Sequence, residues 1–306
     1  MNSGKRPGAG SRLPILRWVR TKRNSENMSL SLLNKIRQFS HKAPIKKITL
    51  FFHIRSFMNS VYLHLFPLTV PRNGIKKISF FGIEAYFQAK TASDLMTVED
   101  NFLDARAGGE GHVLKYLLTW LKPDDVAYDI GAYIGSHMIY MAKCVGENGR
   151  IVAFEPERQR YELALTNINL NNLKNVTLFE VALGAEFGEA FLHSDTGHCL
   201  NLMNFGNSLG QRVKIVPGDF LVKTQGLPSP KILKIDVEGY EYYVICGLQN
   251  TLRQATCQAL CCEIHPTMLP PDIKPQKVID LLKSLGFTHI ETHPRGVVFH
   301  AFCSKS

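Results

Sequence analysis

The chain has 306 residues, of which 45% are apolar and 20% charged, and its formal net charge is +10. These proportions are ordinary for one globular domain with an extension, or for two small domains. The charge is concentrated at the start, because residues 1–77 hold 16 basic residues and one acid, whereas residues 78–306 hold 20 basic and 25 acidic residues. We therefore do not expect the larger part of the chain to present a basic surface that follows a phosphate backbone.

The cysteines and the apolar segments indicate the cell compartment in which the protein is located. Seven cysteines, with no CxxC pair, argue against a disulfide framework or a zinc ribbon and favour a reducing environment. Residues 1–20 lack the continuous apolar segment and the cleavage site of a secretory signal. The most apolar window, residues 48–70, contains His53 and Arg55, which would be costly at bilayer depth. We therefore predict a cytoplasmic protein.

The first 107 residues are predicted to form an extension. Residues 1–27 are rich in Gly, Ser, Arg and Lys and are predicted to be a disordered basic tail, with Met28 as an alternative start. Residues 28–107 are predicted to be a helical and strand extension, with one or two helices in residues 30–70 and a strand pair in residues 78–88. A solvated extension is favoured, and a membrane surface or another anionic partner remains the alternative for its basic helices.

From residue 111 onward, apolar runs alternate with helical periods. Residues 111–121 predict a helix, residues 126–130 a buried strand, and a helix from about residue 134 ends at Gly146. A strand at residues 151–154 precedes a helix whose predicted buried face has a spacing of i, i+3, i+4 and i+7. That face consists of Tyr161, Ala164, Leu165 and Ile168.

The same alternation continues to the end of the chain. Further strands are predicted at residues 176–183, 232–235, 259–264, 289–292 and 297–302, with helices at about residues 240–252 and 275–285. Strands that alternate with helices of this length build a mostly parallel sheet covered on both faces. Residues 108–306 are therefore predicted to form one doubly wound α/β domain.

The turn after the first strand of this domain reads DIGAYIGS and is the expected ligand site, because ligands of such sheets lie beyond the strands' carboxyl ends. A dinucleotide fingerprint would need Gly at position 133, which is Tyr here, so a pyrophosphate would be crowded. S-adenosylmethionine has no phosphate, and Asp129 could accept a hydrogen bond from its amino group. The predicted cofactor residues of this turn are Asp129, Gly131, Ala132, Gly135 and Ser136.

The second strand of the domain ends in Glu155, about two dozen residues after Gly131. An acid at this place can accept hydrogen bonds from both ribose hydroxyls of a nucleoside. Two alternatives stay open: a tight turn that binds no ligand, and a strand-end acid that is simply exposed.

These motifs resemble the FkbM family within the class I methyltransferases, over about residues 110–306. The resemblance rests on DIGAYIG at residues 129–135, FEP at 154–156, NLN at 169–171, ALG at 182–184, LKIDVEGYE at 233–241 and EIH at 263–265. The family typically has Asn where this chain has Tyr133. The resemblance implies a Rossmann-like sheet with an antiparallel final strand, S-adenosylmethionine as methyl donor and Ala182 near the cofactor. It also implies O-methylation of hydroxyls, often on sugars or other secondary metabolites.

Four polar residues lie at the ends of two strands that are predicted to be neighbours, and they are the candidate catalytic residues: Asp236, Glu238, Glu263 and His265. Methyl transfer mainly needs alignment of the reactants, and a hydroxyl acceptor also benefits from a base. Asp236 is predicted to close the cofactor pocket near the methyl group, while His265 or Glu238 acts as base or positions the acceptor. Glu241 is expected to cap the next helix or to pair locally, and not to catalyse. No metal ligand is assigned, although clustered carboxylates with a histidine could hold a divalent ion.

The preferred acceptor is a small molecule or carbohydrate, and no nucleic acid or oligomeric state is predicted. An RNA methyltransferase and a non-catalytic nucleoside-binding scaffold are the competing hypotheses. The loop at residues 194–210 could line an acceptor pocket through residues 197–201, but a surface loop without that role is favoured.

Overall fold

The computed structural model describes residues 73–89, 94, 98, 110–192 and 210–306. The predicted tail of residues 1–27, the helices predicted within residues 30–70 and almost all of the predicted loop at residues 194–210 lie outside the described residues. Residues 74–306 form one compact unit. In the described part of the chain, no helix is both long enough and apolar enough to cross a bilayer.

The large sheet has seven strands and confirms the predicted fold class. Its spatial order is β11-β12-β10-β9-β3-β4-β5. The final strand, β12, is antiparallel to both of its neighbours, whereas β10, β9, β3, β4 and β5 pair in parallel. The strands are β3 (Val126–Ile130), β4 (Arg150–Phe154), β5 (Val176–Phe179), β9 (Ile232–Ile235), β10 (Ala259–Ile264), β11 (His289–Arg295) and β12 (Val298–Ser304).

Helices cover both faces of this sheet. On one face the core joins Ala127, Ala153 and Cys261 to the first three helices, and on the other it joins Tyr128, Leu233 and their neighbours to the later ones. Alternate strand residues thus enter opposite cores, as the period of two requires. The helices are α1 (Glu110–Trp120), α2 (Ser136–Val145), α3 (Arg158–Leu170), α4 (Gly218–Thr224), α5 (Glu241–Gly247), α6 (Gln249–Arg253) and α7 (Pro275–Ser284).

The prediction of a single strand at residues 176–183 is wrong. The structure divides it into β5 of the large sheet and β6 (Ala182–Gly184) of a small sheet with the order β6-β8-β7. The two other strands, β7 (Gly188–Leu192) and β8 (Gln211–Pro217), were not predicted. The chain leaves β4 after Phe179 and takes β8 as its new partner. An apolar run cannot show where the pairing partner changes.

The helix predicted at residues 240–252 is also two helices, α5 and α6, separated at Leu248. The break has a local cause, because the Asp219 carboxylate of α4 accepts hydrogen bonds from the amides of Asn250 (2.7 Å) and Thr251 (2.9 Å) and from the Thr251 hydroxyl. A carboxylate that satisfies free amides in this way caps the start of a new helix.

Helix α3 buries a different face from the predicted one. Ala164 and Ile168 are buried as expected, but Leu165 is 36% exposed and the polar Asn167 is buried in its place. Asn167 accepts a hydrogen bond from the Gln88 amide (2.7 Å) and donates one to the Ile134 carbonyl (2.9 Å). A buried amide is stable when such bonds satisfy it, so two tertiary contacts override the apolar pattern.

The predicted strand pair at residues 78–88 is confirmed as the antiparallel hairpin of β1 (Ile75–Phe80) and β2 (Ile83–Gln88). Asn171, in the turn after α3, forms hydrogen bonds to the backbone of β2 as a neighbouring strand would. Its side chain accepts from the Tyr86 amide (3.0 Å) and donates to the Tyr86 carbonyl (2.7 Å). The turn at the end of α3 therefore fixes the hairpin to the domain.

Candidate active site

The ends of β3, β4 and β9 meet at one edge of the large sheet. The amides of Gly131 and Ala132 both donate to the Phe154 carbonyl at 3.0 Å, and the Asp236 amide donates to the Ile130 carbonyl at 3.0 Å. The strand order reverses between β3 and β9, where ligands of open α/β sheets bind. The structure thus brings together the turn of Gly131, the end of β4 and Asp236.

Position 131 must be glycine because two backbone segments come close together there. It has a positive φ of 82°, and a Cβ atom there would lie 1.8 Å from the Asp236 carbonyl oxygen. Gly135 also has a positive φ, of 85°, but its added Cβ would meet the flexible end of Met138. The glycine at position 131 therefore lets the first turn contact the end of the neighbouring strand.

We expect Gly131→Ala to destabilise the site strongly and Gly226→Ala to be mild. Both glycines have positive φ, which costs a non-glycine residue about 1–2 kcal/mol, but nothing lies within 4 Å of an added Cβ at Gly226. At Gly131 the clash with backbone adds roughly 1–3 kcal/mol or more. Urea unfolding of both variants measures the difference. Equal losses of unfolding free energy would show that the close contact has no cost.

Glu155 lies directly after β4 and is buried. Its Oε2 accepts a hydrogen bond from the Tyr133 amide (2.7 Å), and its Oε1 accepts one from the Glu157 amide (2.9 Å). Burial raises the pKa of this carboxyl to about 7, although the two amides oppose the shift. A carboxylate offers about four acceptor positions, so two remain for the hydroxyls of a ribose.

Asp129 and Asp236 lie on either side of the Lys234 ammonium. The Lys234 Nζ is 3.0 Å from Asp236 Oδ2 and 3.7 Å from Asp129 Oδ1. Burial opposes the charge of Lys234, but the two carboxylates together raise its pKa. Burial likewise opposes ionisation of Asp236, yet Lys234 and His265 lower its pKa below the usual range. Both Asp236 and Lys234 therefore stay ionised at neutral pH.

Asp129 differs from Asp236 in its surroundings. It is fully buried, and neither carboxylate oxygen has a well-formed hydrogen bond among the described residues. Burial raises its pKa to about 6, against the lowering effect of Lys234. A buried carboxylate of this kind is suited to a ligand that brings an ammonium group.

His265 follows β10 and is held by an acid from α5. Its Nδ1 is 2.6 Å from Glu241 Oε1, and its Nε2 is 4.0 Å from Asp236 Oδ1. Burial opposes its protonation, but the hydrogen bond to Glu241 and the charge of Asp236 raise its pKa to about 9. The imidazole is therefore charged at neutral pH, which favours a positioning role for His265 over the role of base.

Glu263 pairs with two side chains of the β11–β12 hairpin. Its Oε1 is 3.3 Å from Arg295 Nη1, and its Oε2 is 3.4 Å from His300 Nε2. Arg295 also pairs with Glu110 of α1. Glu263 is thus the residue that joins the edge of Asp236 and His265 to this group.

Three other predicted residues have different settings. Ser136 begins α2, and a helix N-terminus can hold a carboxylate through its free amides. Glu238 lies in the turn between β9 and α5 with a positive φ of 53°, a strained conformation that is common at functional sites. Ala182 packs with apolar residues of the small sheet. The cofactor role of Ala182 and the catalytic role of Glu238 remain predictions.

The sequence interpretation missed two functional candidates, Lys234 and Glu241. Lys234 is the single charged residue of the otherwise apolar strand β9, and that exception was the available signal. Glu241 is wholly buried, and its Oε1 also accepts from the Gly239 amide at 2.8 Å. It therefore holds both the turn after β9 and the His265 ring, which is more than the local cap expected of it.

Comparisons with known proteins identify the family of the chain. The family model described as the methyltransferase FkbM domain matches residues 129–288, which is more than half of the chain. The hexuronic acid methyltransferase AglP of Haloferax volcanii is 26% identical over 192 residues, covering 63% of this chain and 75% of that protein.

Solved structures of methyltransferases are also similar to this chain. A precorrin-6y C5,15-methyltransferase from Geobacter metallireducens is 18% identical and has a TM-score of 0.41, with 64% of this chain and 88% of that chain covered. For an S-adenosylmethionine-dependent O-methyltransferase from Thermotoga maritima the identity is 14%, the TM-score is 0.39, and the coverage is 75% of this chain and 77% of that one.

Proposed function

Because this chain belongs to the FkbM methyltransferase family and is an S-adenosylmethionine-dependent enzyme, we propose that it methylates a hydroxyl oxygen of a sugar or similar small molecule. The observation that carries the proposal is the ionised Asp236 carboxylate at the strand edge, with Oδ2 bonded to Lys234 and Oδ1 turned to His265 at 4.0 Å. The similarity to a hexuronic acid methyltransferase supports a carbohydrate acceptor.

The residues at the edge fit S-adenosylmethionine, and each has a distinct proposed role. Glu155 accepts from the two ribose hydroxyls with the acceptor positions that its backbone amides leave free. Asp129 accepts from the amino group of the methionine part, which offsets its buried charge. The N-terminus of α2 at Ser136 holds the carboxylate of the same part, and the turn at Gly131 and Ala132 forms the wall of the pocket.

Asp236 is proposed as the group that receives the acceptor's proton. S-adenosylmethionine would supply the methyl group and leave as the neutral thioether, and Asp236 Oδ1 would accept the proton of the acceptor hydroxyl. Lys234 fixes the carboxylate through Oδ2. His265, held by Glu241, fixes the other side and orients the acceptor. Alignment of this kind can supply about 7–11 kcal/mol of the barrier.

The surroundings of the site favour a small acceptor over RNA. Acids outnumber bases in residues 78–306, and a phosphate backbone would need basic residues around the pocket. A cytoplasmic location is part of the proposal and is supported by free cysteines at every described cysteine position. The domain division at residues 27 and 107 likewise remains a proposal.

The test is a methyl-transfer assay with labelled S-adenosylmethionine and a panel of acceptors. Free hexuronic acids, neutral hexoses and a short RNA are offered in parallel, and the product is analysed by mass spectrometry and by resistance to esterase. We expect an ether-linked methyl group on the sugars and no label on the RNA. An ester on the uronate carboxyl would contradict hydroxyl methylation, and label on the RNA alone would contradict a small-molecule acceptor.

A further inference from the structure

A polar cluster lies beside the candidate active site and is called here the histidine cluster. It draws one side chain from each of five elements, α1, α2, β10, β11 and β12. Its members are Glu110, His137, Glu263, Arg295 and His300. The proposed methyl transfer gives none of them a role, although the sequence made Glu263 a catalytic candidate.

The donor atoms of three members converge. One ligand atom each from Glu110, Glu263 and His300 lies within 4.8 Å of the other two. Two ligands on opposite sides of a first-row divalent ion are about 4.2 Å apart, since each metal–ligand bond is close to 2.1 Å. Small side-chain shifts therefore suffice to place all three atoms around one ion.

Two buried imidazoles each lie beside one of the two acids. The Nε2 atom of His137 is 3.4 Å from Glu110 Oε2, and the Nε2 atom of His300 is 3.4 Å from Glu263 Oε2. The side chains are 6% and 1% exposed, and neither Nε2 atom makes a hydrogen bond within the described residues. A buried polar nitrogen without a hydrogen bond costs free energy, which a ligand at this point would recover.

The local charge also favours a cation. Lys234 and Arg295 are the permanently charged cations here. They face a larger number of carboxylates: Asp129, Asp236, Glu110, Glu241 and Glu263. A divalent ion would balance the remaining negative charge.

We propose that the histidine cluster binds a first-row divalent ion such as Mn²⁺ through Glu110, Glu263 and His300, with His137 as a fourth donor. Carboxylates combined with imidazoles suit Mn²⁺, Fe²⁺ or Zn²⁺, whereas Ca²⁺ prefers oxygen ligands alone. Arg295, whose side chain is 38% exposed, pairs with the two acids in the metal-free state and turns outward when the ion binds.

A second group of potential ligands, Asp236, Glu263 and His265, is less suitable. Its histidine already contacts Glu241 at 2.6 Å, and its aspartate already contacts Lys234 at 3.0 Å. An ion there would have to displace these partners. In the histidine cluster, by contrast, the imidazole nitrogens have no hydrogen bond to give up.

The test measures Mn²⁺ binding to the full chain after treatment with a chelator, by the loss of the free-ion signal in electron paramagnetic resonance. Mn²⁺ is a hard ion that does not select thiolates, so the cysteines do not interfere. We expect one ion per chain, with Glu263→Gln and His300→Asn each weakening binding at least tenfold. His293→Gln, which changes a partly exposed histidine paired with Glu291 on the same β11–β12 hairpin, should bind as the wild type does.

Arg295→Met separates a metal site from an ion-pair network. Removal of the competing guanidinium should tighten Mn²⁺ binding several-fold. This measurement does not depend on whether the histidine variants fold. No bound Mn²⁺ in the wild type, equal affinity of Glu263→Gln and wild type, or weaker binding by Arg295→Met would each overturn the proposal. The readout is independent of methyl transfer, so this proposal and that of the acceptor can fail separately.

Discussion

Replacement of Glu155 by Gln should weaken the binding of S-adenosylhomocysteine about 100-fold. Hydrogen bonds to a charged group contribute about 1.5–3 kcal/mol each, and the variant loses at least one to the ribose. The Gln amide also places an N–H against the amide of either Tyr133 or Glu157, both of which are donors. Calorimetry on the two proteins measures the loss.

The pH dependence of binding gives a second test of the same residue. Only the ionised carboxylate can accept two ribose hydroxyls, and burial raises the pKa of Glu155 to about 7. Wild-type affinity should therefore be full above pH 8 and fall as the pH drops through 7, approaching tenfold per pH unit. The Gln variant should lose this slope and keep only a fall near pH 6, where the buried Asp129 takes up its proton.

Glu162→Gln is the matched control for Glu155. Glu162 lies on α3, is largely exposed and pairs with Arg158 one helical turn away at 2.8 Å. An exposed pair of this kind contributes little to stability, so the control should bind S-adenosylhomocysteine as the wild type does. If Glu155→Gln retained an affinity within threefold of the wild type, Glu155 would not be a ribose ligand. Flat wild-type binding between pH 6 and 8 would show instead that burial does not raise the pKa of Glu155.

The convergence of Gly131, Glu155 and Asp236 could be predicted because it follows from topology. The carboxyl ends of parallel strands meet at one edge, and each of these residues ends or follows a strand whose apolar run is plain in the sequence. The strands β3, β9 and β10 have the bounds that the apolar runs predict. Local patterns therefore suffice for the large sheet and for the position of its acids.

Contacts between distant segments could not be predicted in the same way. His265 and Glu241 are 24 residues apart, and Asn171 meets Tyr86 across 85 residues. No period or spacing within one element indicates such pairs, although each decides whether a polar side chain is buried or exposed. The burial of Asn167, where the sequence predicts burial of Leu165, has the same origin.

The small sheet was missed for a different reason. Its strand β8 alternates well, with Val213 and Ile215 buried and Arg212 and Lys214 exposed, and this pattern was available in the sequence. What the sequence does not indicate is that β6 leaves the large sheet to pair with β8. That change of partner also places Ala182 in the core of the small sheet.

The protein offers an internal control for the proposed role of Asp236. At the opposite edge of the sheet, Asp125 pairs with Lys231 at 2.6 Å, much as Asp236 pairs with Lys234 at 3.0 Å. Both aspartate side chains are 23% exposed. The two pairs thus share chemistry and sheet, and they differ in being at the amino or the carboxyl ends of the strands and in the deeper burial of Lys234.

Asp236→Asn should lower kcat by about 10²- to 10⁴-fold, the range that a positioned base contributes. The loss should appear mainly in kcat, with a smaller change in cofactor affinity, because the proton is transferred only as the methyl group moves. Asp125→Asn should lower the melting temperature by a similar amount but leave kcat unchanged. If both variants lost the same turnover, the effect would come from a broken ion pair. If Asp236→Asn kept more than a tenth of the wild-type kcat, the proton would leave by another route.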